Sequence, residues 1–417
     1  MLSLKGDVDV APDKSISHRA LMIAAISCGT SRINNLLLSD DCISTLKCLE
    51  KLSVDITQLK GSYVVKGSGR FLKSAVSDLD AGNSGTTARM ISGILAGQNF
   101  KSRIIGDASL SARPMKRVVV PLQKMGARIK THNWCLPMDI SGGELNAIHY
   151  VSEISSAQVK SCVLLAGLFA CGITKFSEPV KSRDHTERML KNFGADISVE
   201  GDTVSVKGCP SLSSFDVTVP GDISAAAFFI VGALITRGSN LVIKNVGINP
   251  TRTGVLNVLK RMGGNIVIEN TRVLAGEPVA DIIVRSSDLK ATEITGAEVP
   301  FMIDEIPVIA VAATQAMGET RITGASELRV KETDRLKAIT SEIKKMGAVA
   351  EELEDGLIIK GPVKLKGAKV DSYKDHRIAM SLAIASLIAE GDTIIKDKDC
   401  VTISFPDFWK KLKETVK

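Results

Sequence analysis

Aromatic residues are scarce in this sequence, at 4% of 417 residues. A protein that binds single-stranded nucleic acid uses aromatic side chains for stacking, next to a dense basic stripe. Here the net charge of +7 is mild for the length and is spread along the chain. We therefore expect no nucleic-acid partner, and the positive balance favours small acidic substrates.

Metal-binding patterns are also missing. The eight Cys and five His are scattered, with no Cys-x-x-Cys pair and no His-Glu-x-x-His, which excludes the common zinc signatures. No Ser-His-Asp set, Gly-x-Ser-x-Gly elbow, Walker loop or dinucleotide fingerprint is evident. We expect no metal and no cofactor, and chemistry by proton transfer and anion binding.

Long apolar runs are absent as well. The longest, residues 223–235, is shorter than the about 20 residues that span a bilayer. The first residues, MLSLKGDVDV, lack the apolar core of a secretory signal. The sequence predicts a cytoplasmic protein with reduced thiols and no membrane partner.

One pattern recurs six times, at a spacing of roughly 70 residues. It consists of a polar start, an apolar helix, a Gly and a β-rich strand. Ser or Asp at the front predicts an N-cap, and Gly at the back predicts a C-cap. The copies open at Ser15, Ser84, Ser156, Asp222, Asp304 and Asp375 and end near Gly29, Gly97, Gly172, Gly238, Gly318 and Gly391.

A second helix type alternates with the first. It carries Lys and ends in a Met-Gly-Ala-like turn and a strand; the last copy, at the end of the chain, has no strand. The first type is apolar almost all round and should be buried, whereas the second has a polar face and should lie outside. The copies with a strand are 49–56, 122–129, 190–197, 259–266 and 343–350.

Six such units predict an α/β protein of two globular domains. Each domain would hold three units, with buried helices and outer sheets; one doubly wound sheet is the alternative. One domain would comprise residues 13–220, and the other would combine 1–12 with 221–417. We expect a hinge where the chain crosses, near 11–13 and 219–221.

Basic residues cluster at helix starts, where the helix dipole disfavours them by some tenths of a kcal/mol each. Any single one would be an ordinary surface residue, but the repetition across units favours anion binding at these ends. Several ends that face one cleft could hold a substrate with more than one phosphate or carboxylate. The residues are Lys14, Arg19, Arg89, Arg113, Lys116, Arg117, Arg183, His185, Arg188, Lys331, Arg335, His376 and Arg377.

Three acidic residues lie among these bases. Asp304 is either a simple N-cap or a carboxylate that accepts a proton from a substrate hydroxyl. Glu332, between Lys331 and Arg335, is either a surface carboxylate or a proton-transfer group. Asp375 is expected to cap a helix and orient the two residues that follow it.

Several segments together resemble the 5-enolpyruvylshikimate-3-phosphate synthase family of enolpyruvyl transferases. They follow the family's order and run nearly end to end. The resemblance implies an inside-out α/β barrel in each of two domains, each with three βαβαββ repeats. The segments are PDKSISHRAL (12–21), GNSGTTAR (82–89), SARPMKR (111–117), SSAQVKS (155–161), LRVKETDRL (328–336), DHRIAMS (375–381) and FPDFW (405–409).

The resemblance implies transfer of the enolpyruvyl group of phosphoenolpyruvate to the 5-hydroxyl of shikimate 3-phosphate, on the pathway to chorismate and aromatic amino acids. Asp304, Glu332 and Lys14 would be catalytic. Residues implied for shikimate 3-phosphate are Lys14, Ser15, Arg19, Ser155, Ser156, Gln158, Ser182, Asp304 and Lys331. Residues implied for phosphoenolpyruvate are Lys14, Asn83, Gly85, Arg113, Gln158, Arg335 and Arg377.

Two departures from the family pattern stand out. Ile403 and Ser404 precede Phe405 where many members have a Lys, and Glu327 stands where many have Asn. His185 takes the place of a Tyr in some relatives. The alternatives are a UDP-N-acetylglucosamine enolpyruvyl transferase, disfavoured because residues 107–117 lack its reactive Cys, and a non-catalytic anion or RNA binder. We expect a monomer.

Overall fold

A computed structural model describes residues 2–417 and divides the chain into two compact units. The first unit comprises the residues up to Ala11, Pro220–Val273 and Pro278–Lys417. The second comprises Pro12–Val219 and Leu274–Glu277. The hinge at the crossings stays a prediction. None of the helices within residues 2–417 is long and apolar enough to cross a membrane.

Thirteen α-helices are described. They are α1 (Lys14–Ala25), α2 (Asp40–Lys51), α3 (Gly85–Ala96), α4 (Ala108–Ser111), α5 (Lys116–Lys124), α6 (Ala157–Gly167), α7 (His185–Asn192), α8 (Ile223–Ile235), α9 (Gly254–Arg261), α10 (Ile306–Ala313), α11 (Arg335–Lys345), α12 (His376–Ser386) and α13 (Phe408–Thr415). Short 3-10 turns cover Val299–Phe301, Ile303–Glu305, Ser326–Val330 and Lys398–Ile403.

The strands of the second unit, with β1 of the first unit before them, are β1 (Lys5–Asp9), β2 (Cys28–Asn34), β3 (Asp55–Leu59), β4 (Ser62–Ser68), β5 (Leu79–Asp80), β6 (Lys101–Ile105), β7 (Arg128–His132), β8 (Cys135–Ser141), β9 (Leu145–Asn146), β10 (His149–Val151), β11 (Ala170–Cys171), β12 (Ile173–Ser177), β13 (Ile197–Glu200), β14 (Thr203–Lys207) and β15 (Val217–Thr218). The remaining strands are β16 (Asn240–Gly247), β17 (Asn265–Leu274), β18 (Glu277–Arg285), β19 (Glu293–Ile294), β20 (Gly318–Ile322), β21 (Val349–Glu352), β22 (Leu357–Gly361), β23 (Lys369–Asp371) and β24 (Ile394–Lys396).

Five four-stranded sheets share one strand order. In each, an edge strand runs parallel to its neighbour, and that neighbour runs antiparallel to the third strand. The alternative of one doubly wound sheet is therefore wrong. The second unit has β15-β2-β4-β3, β5-β6-β8-β7, β10-β12-β14-β13 and the pair β11-β9; the first unit has β1-β16-β18-β17, β19-β20-β22-β21 and the parallel pair β23-β24 of the last repeat.

The two helix types differ in burial as the sequence predicts. In the first unit α8, α10 and α12 pack on one another, and almost all their residues are buried. In the second unit α3 packs on α6 so closely that a Cβ on Gly93 would lie 2.2 Å from the Cys162 carbonyl oxygen. The helices that alternate with them keep an exposed polar face, as in α5 and α11. Apolar burial on these inner helices stabilises each unit, by about 1.5–3 kcal/mol per large side chain.

Four of the six predicted N-caps are confirmed. Ser84, Ser156, Asp222 and Asp375 each accept a hydrogen bond from a backbone N–H of the first helical turn. The first helix is capped by Asp13 instead of Ser15, because the helix begins at Lys14, two residues earlier than a cap at Ser15 predicts. The predicted opening at Asp304 is also wrong, because Asp304 lies in the 3-10 turn Ile303–Glu305 and the N-cap position of α10 is Glu305.

Glycine follows the C-cap of several outer helices at once, whereas most inner helices end a few residues before their glycine. Gly126, Gly194, Gly263 and Gly347 each follow the C-cap of an outer helix with a positive φ, which suits a residue without Cβ. Of the glycines predicted to cap inner helices, only Gly97 is at the C-cap. The other five have positive φ a few residues later, where the chain turns into the next strand.

Candidate active site

In the second unit, α1 begins with basic residues that contact the protein itself. The Lys14 ammonium donates to Asp41 Oδ2 at 3.1 Å. Arg19 is buried, and its guanidinium donates to Thr186 Oγ1, to Ser161 Oγ at 2.7 Å and to the Ser15 carbonyl oxygen. Burial lowers the pKa of Arg19 to about 10, so it stays charged at neutral pH. Three of its five N–H donors are thus already in use.

The start of α3 positions a second basic residue. Asn83 bridges two side chains: its Nδ2 donates to Asp107 Oδ2 at 2.7 Å, and its Oδ1 accepts from Arg113 Nη2 at 2.7 Å. A Cβ on Gly85 would lie 2.6 Å from Arg89 Nη1. The absence of a side chain at Gly85 therefore leaves room for the Arg89 guanidinium.

Gln158 on α6 joins this group. Its Oε1 accepts from Arg89 Nη1 at 2.9 Å, and its Nε2 donates to Thr86 Oγ1 at 3.0 Å. Arg89 also donates to the Pro114 carbonyl oxygen. The residues predicted at the starts of α3 and α6 thus lie together in the second unit.

A buried cluster behind the serines was not predicted from the sequence. The Glu178 carboxylate accepts from the backbone N–H groups of Ser156 and Ser182 and from the Lys160 ammonium. Ser155 instead exchanges hydrogen bonds with the backbone of Val180. A lysine within the apolar sequence of α6 is the signal that could have indicated this cluster, because a buried Lys needs an acidic partner.

In the first unit, Arg335 gathers the candidate acids. It opens α11 and is 1% exposed. Its Nη1 lies 3.2 Å from Asp304 Oδ1, its Nη2 lies 2.6 Å from Glu332 Oε2, and its Nε lies 2.8 Å from Asp375 Oδ2. Burial by itself would lower the pKa of Arg335, but the three carboxylates raise it above its ordinary value. Both candidate proton-transfer residues therefore share one permanent cation.

Within the described part of the chain, the side chain of Arg377 is not paired with carboxylates as that of Arg335 is. It is 6% exposed, and its Nε has no hydrogen-bond partner within residues 2–417. The Asp375 carboxylate accepts a hydrogen bond from the Arg377 backbone N–H at 2.8 Å. The same carboxylate also pairs with the Arg335 side chain. A buried guanidinium without an acceptor is costly, which indicates an anionic ligand for Arg377.

The remaining predicted residues are placed as follows. Lys331 lies in an extended conformation before α11. The His185 Nδ1 lies 2.7 Å from Glu277 Oε1, within the second unit. Glu327 lies in the 3-10 turn Ser326–Val330, and Ile403 ends the 3-10 turn Lys398–Ile403.

A second buried network, in the first unit, lies beside Asp304. Arg252 donates to Asp222 Oδ1 at 2.9 Å and to Ser224, whose hydroxyl donates to the buried Glu305 carboxylate. Arg252 lies two residues before the outer helix α9, and Arg335 opens the outer helix α11. That similar position in the repeat is the signal by which the sequence could have indicated it.

A buried histidine on α1 predicts a pH effect on stability. Burial, and then the charges of Lys14 and Arg19, lower the pKa of His18 well below its usual value. The unfolded chain takes up this proton near pH 6.5, so the free energy of unfolding should fall as the pH drops from about 6.5 toward the lowered pKa. His18→Gln should flatten that slope in urea unfolding between pH 7 and 5.5. An unchanged slope would contradict the assignment.

Comparison with known proteins agrees with this architecture. A solved structure of EPSP synthase from Acinetobacter baumannii is 43% identical, covers 100% of this chain and 97% of its own, and has a TM-score of 0.90. The enolpyruvyl transferase NikO from Streptomyces tendae has a TM-score of 0.80 at 17% identity, with coverage of 100% and 96%. The fold is that of the enolpyruvyl transferases, which confirms the predicted two-domain inside-out class.

Sequence relatives identify the family. The model for EPSP synthase (3-phosphoshikimate 1-carboxyvinyltransferase) matches residues 2–412. The 3-phosphoshikimate 1-carboxyvinyltransferase of Endomicrobium trichonymphae is 54% identical over 98% of this chain and 96% of its own. That of Desulforamulus reducens is 51% identical over 99% and 97%. The chain belongs to the EPSP synthase family, which confirms the resemblance read from its motifs.

Proposed function

We propose that this protein transfers the enolpyruvyl group of phosphoenolpyruvate to the 5-hydroxyl of shikimate 3-phosphate and releases phosphate. Family membership gives the reaction. The buried Arg377 carries the anion-binding part of the proposal, because its Nε has no hydrogen-bond partner within residues 2–417. The neighbouring carboxylate of Asp375 accepts instead from the Arg377 backbone N–H and from Arg335 Nε. Such a group suits a phosphate or carboxylate, which accepts two parallel hydrogen bonds from a guanidinium.

We assign phosphoenolpyruvate to one set of residues and the acceptor to another. Arg377 offers open donors, whereas Arg335 would have to release one of its own carboxylates to bind the substrate fully. The phosphoenolpyruvate set is Lys14, Asn83, Gly85, Arg113, Gln158, Arg335 and Arg377. The shikimate 3-phosphate set is Lys14, Ser15, Arg19, Ser155, Ser156, Gln158, Ser182, Asp304 and Lys331.

The proposed chemistry is addition followed by elimination. Glu332 gives a proton to the methylene carbon of phosphoenolpyruvate, and the adjacent carbon becomes electrophilic. Asp304 takes the proton of the 5-hydroxyl as its oxygen bonds to that carbon, which gives a tetrahedral adduct. Loss of a methyl proton to Glu332 then restores the double bond as phosphate leaves. Lys14 and the arginines stabilise the charge on the departing phosphate.

Phosphate release from phosphoenolpyruvate tests this function. We expect release that depends on shikimate 3-phosphate and that proceeds without an added metal or cofactor. Release that requires UDP-N-acetylglucosamine would instead identify the sister transferase activity. No release with either acceptor would favour a non-catalytic anion binder.

We also propose that the protein acts in the cytoplasm as a monomer on these two small anions, with neither nucleic acid nor membrane as a partner. The free thiols of its eight cysteines support the location. The mass of the species that is active in the release assay, measured by light scattering, tests the monomer. A dimeric mass would contradict it.

A further inference from the structure

Glu178 is a buried carboxylate that connects two loops of the second unit. It is 5% exposed. Its Oε1 accepts from both the backbone N–H and the hydroxyl of Ser182, each at 2.8 Å. Its Oε2 accepts from the backbone N–H of Ser156 at 3.3 Å. One side chain therefore sets the positions of two serines that are 26 residues apart in the sequence.

Lys160 holds this carboxylate in place. The Lys160 side chain is fully buried, and its ammonium lies 2.9 Å from Glu178 Oε1 and 3.0 Å from the Ser182 carbonyl oxygen. It also lies 2.8 Å from Glu187 Oε1. Charges buried this deeply persist only when they are paired. Because Lys160 bonds to Glu178 and to the backbone of Ser182, it restricts both the carboxylate and the loop.

The two glutamates that share Lys160 differ in one respect. Both are buried and both lie within 3 Å of the Lys160 ammonium. Glu178 alone of the two also contacts Ser156 and Ser182. Glu187 has no hydrogen bond to either serine within residues 2–417. A substitution at Glu187 therefore tests the loss of a buried ion pair alone, whereas a substitution at Glu178 also changes the contacts of the two serines.

We propose that Glu178, held by Lys160, is a positioning residue that places Ser156 and Ser182 for the phosphorylated acceptor and so selects it over the unphosphorylated one. This inference rests on the proposed function, in which these serines bind shikimate 3-phosphate. The hydrogen of a serine hydroxyl can rotate toward an acceptor, so donation to a phosphate depends on where the hydroxyl oxygen is held. The bond from the Ser182 hydroxyl to Glu178 holds that oxygen in place in the free protein, and an arriving phosphate would compete for the donor.

Glutamine is an informative replacement for Glu178. It preserves the shape of the side chain but turns one acceptor oxygen into an N–H donor. In either orientation of the amide, that donor would face a donor: the Ser156 N–H on one side, or the Ser182 N–H and the Lys160 ammonium on the other. At least one serine should therefore lose its position.

The test compares Glu178→Gln with Glu187→Gln by the ratio of kcat/KM for shikimate 3-phosphate to kcat/KM for shikimate. This ratio does not depend on how much of the protein is folded. We expect a fall of about tenfold or more in Glu178→Gln, from the loss of hydrogen bonds to a charged group. In Glu187→Gln the ratio should stay within about twofold. If turnover of shikimate is too slow, the ratio of dissociation constants from calorimetry replaces it.

Glu178→Asp provides a second variant if Glu178→Gln does not fold. It keeps the charge beside Lys160 but withdraws the carboxylate by about 1.5 Å, so the already long bond to Ser156 should break and the ratio should fall. An equal ratio in the Glu178 and Glu187 variants would overturn the positioning role. A wild-type protein that releases no phosphate with shikimate 3-phosphate would instead refute the proposed function itself.

Discussion

Arg377→Met should lower kcat/KM for phosphoenolpyruvate by about a hundredfold to a thousandfold, in the range for loss of one preorganised donor to developing charge. The free energy of unfolding should stay unchanged or rise. The Arg377 side chain is buried and its Nε has no partner within residues 2–417, so methionine removes a buried charge without breaking an ion pair. Steady-state kinetics and urea unfolding measure the two effects.

Arg335→Met is the matched control, because it removes a neighbouring guanidinium that is paired with three carboxylates. Asp304, Glu332 and Asp375 would lose their common partner. The free energy of unfolding should therefore fall by about 3–5 kcal/mol, as when one partner of a buried pair is removed. Equal losses of stability in the two variants would show that Arg377 has a structural partner, and the ligand role would lose its basis.

Asp304→Asn should lower kcat by about a hundredfold to ten-thousandfold, the usual contribution of a general base. Asparagine keeps an oxygen that can accept from Arg335 Nη1, as Asp304 does at 3.2 Å, but it cannot take the proton of a hydroxyl. Binding of both substrates should remain largely intact. Single-turnover rates and calorimetry separate the chemical step from binding.

The position of Asp304 makes this variant a clean test. Its side chain is 16% exposed, and the N-cap position of α10 is Glu305. Near-normal turnover of the variant would exclude Asp304 as the base. Loss of binding in parallel with turnover would show that it mainly holds the acceptor.

The local features of this fold could be predicted from the sequence. A cap such as Ser84 or Ser156 acts within one helical turn, so the polar residue and the apolar run behind it stand together in the sequence. Repetition then made the six units visible. The family motifs supplied the roles of individual residues, which periodicity alone does not give.

Partnerships between distant residues could not be predicted. Arg335 pairs with Asp304 and Asp375, which are 31 and 40 residues away. Position at a helix start suggested that Arg335 is open to anions, but nothing in its own segment shows that two distant carboxylates join Glu332 around it. Glu178 was missed for the same reason, since its partners come from α6 and from the loop before α7.

The carboxylates around Arg335 should affect which anions it can bind. Three carboxylates already surround one guanidinium, so an incoming anion competes with the protein's own acids and meets their repulsion. We expect chloride, which has one charge and no oxygen acceptors, to compete poorly with these carboxylates. A metabolite with two separate negative groups can engage Arg377 with one of them while the other contends for Arg335. We therefore expect the three carboxylates around Arg335 to weaken the binding of simple anions relative to a substrate with two negative groups.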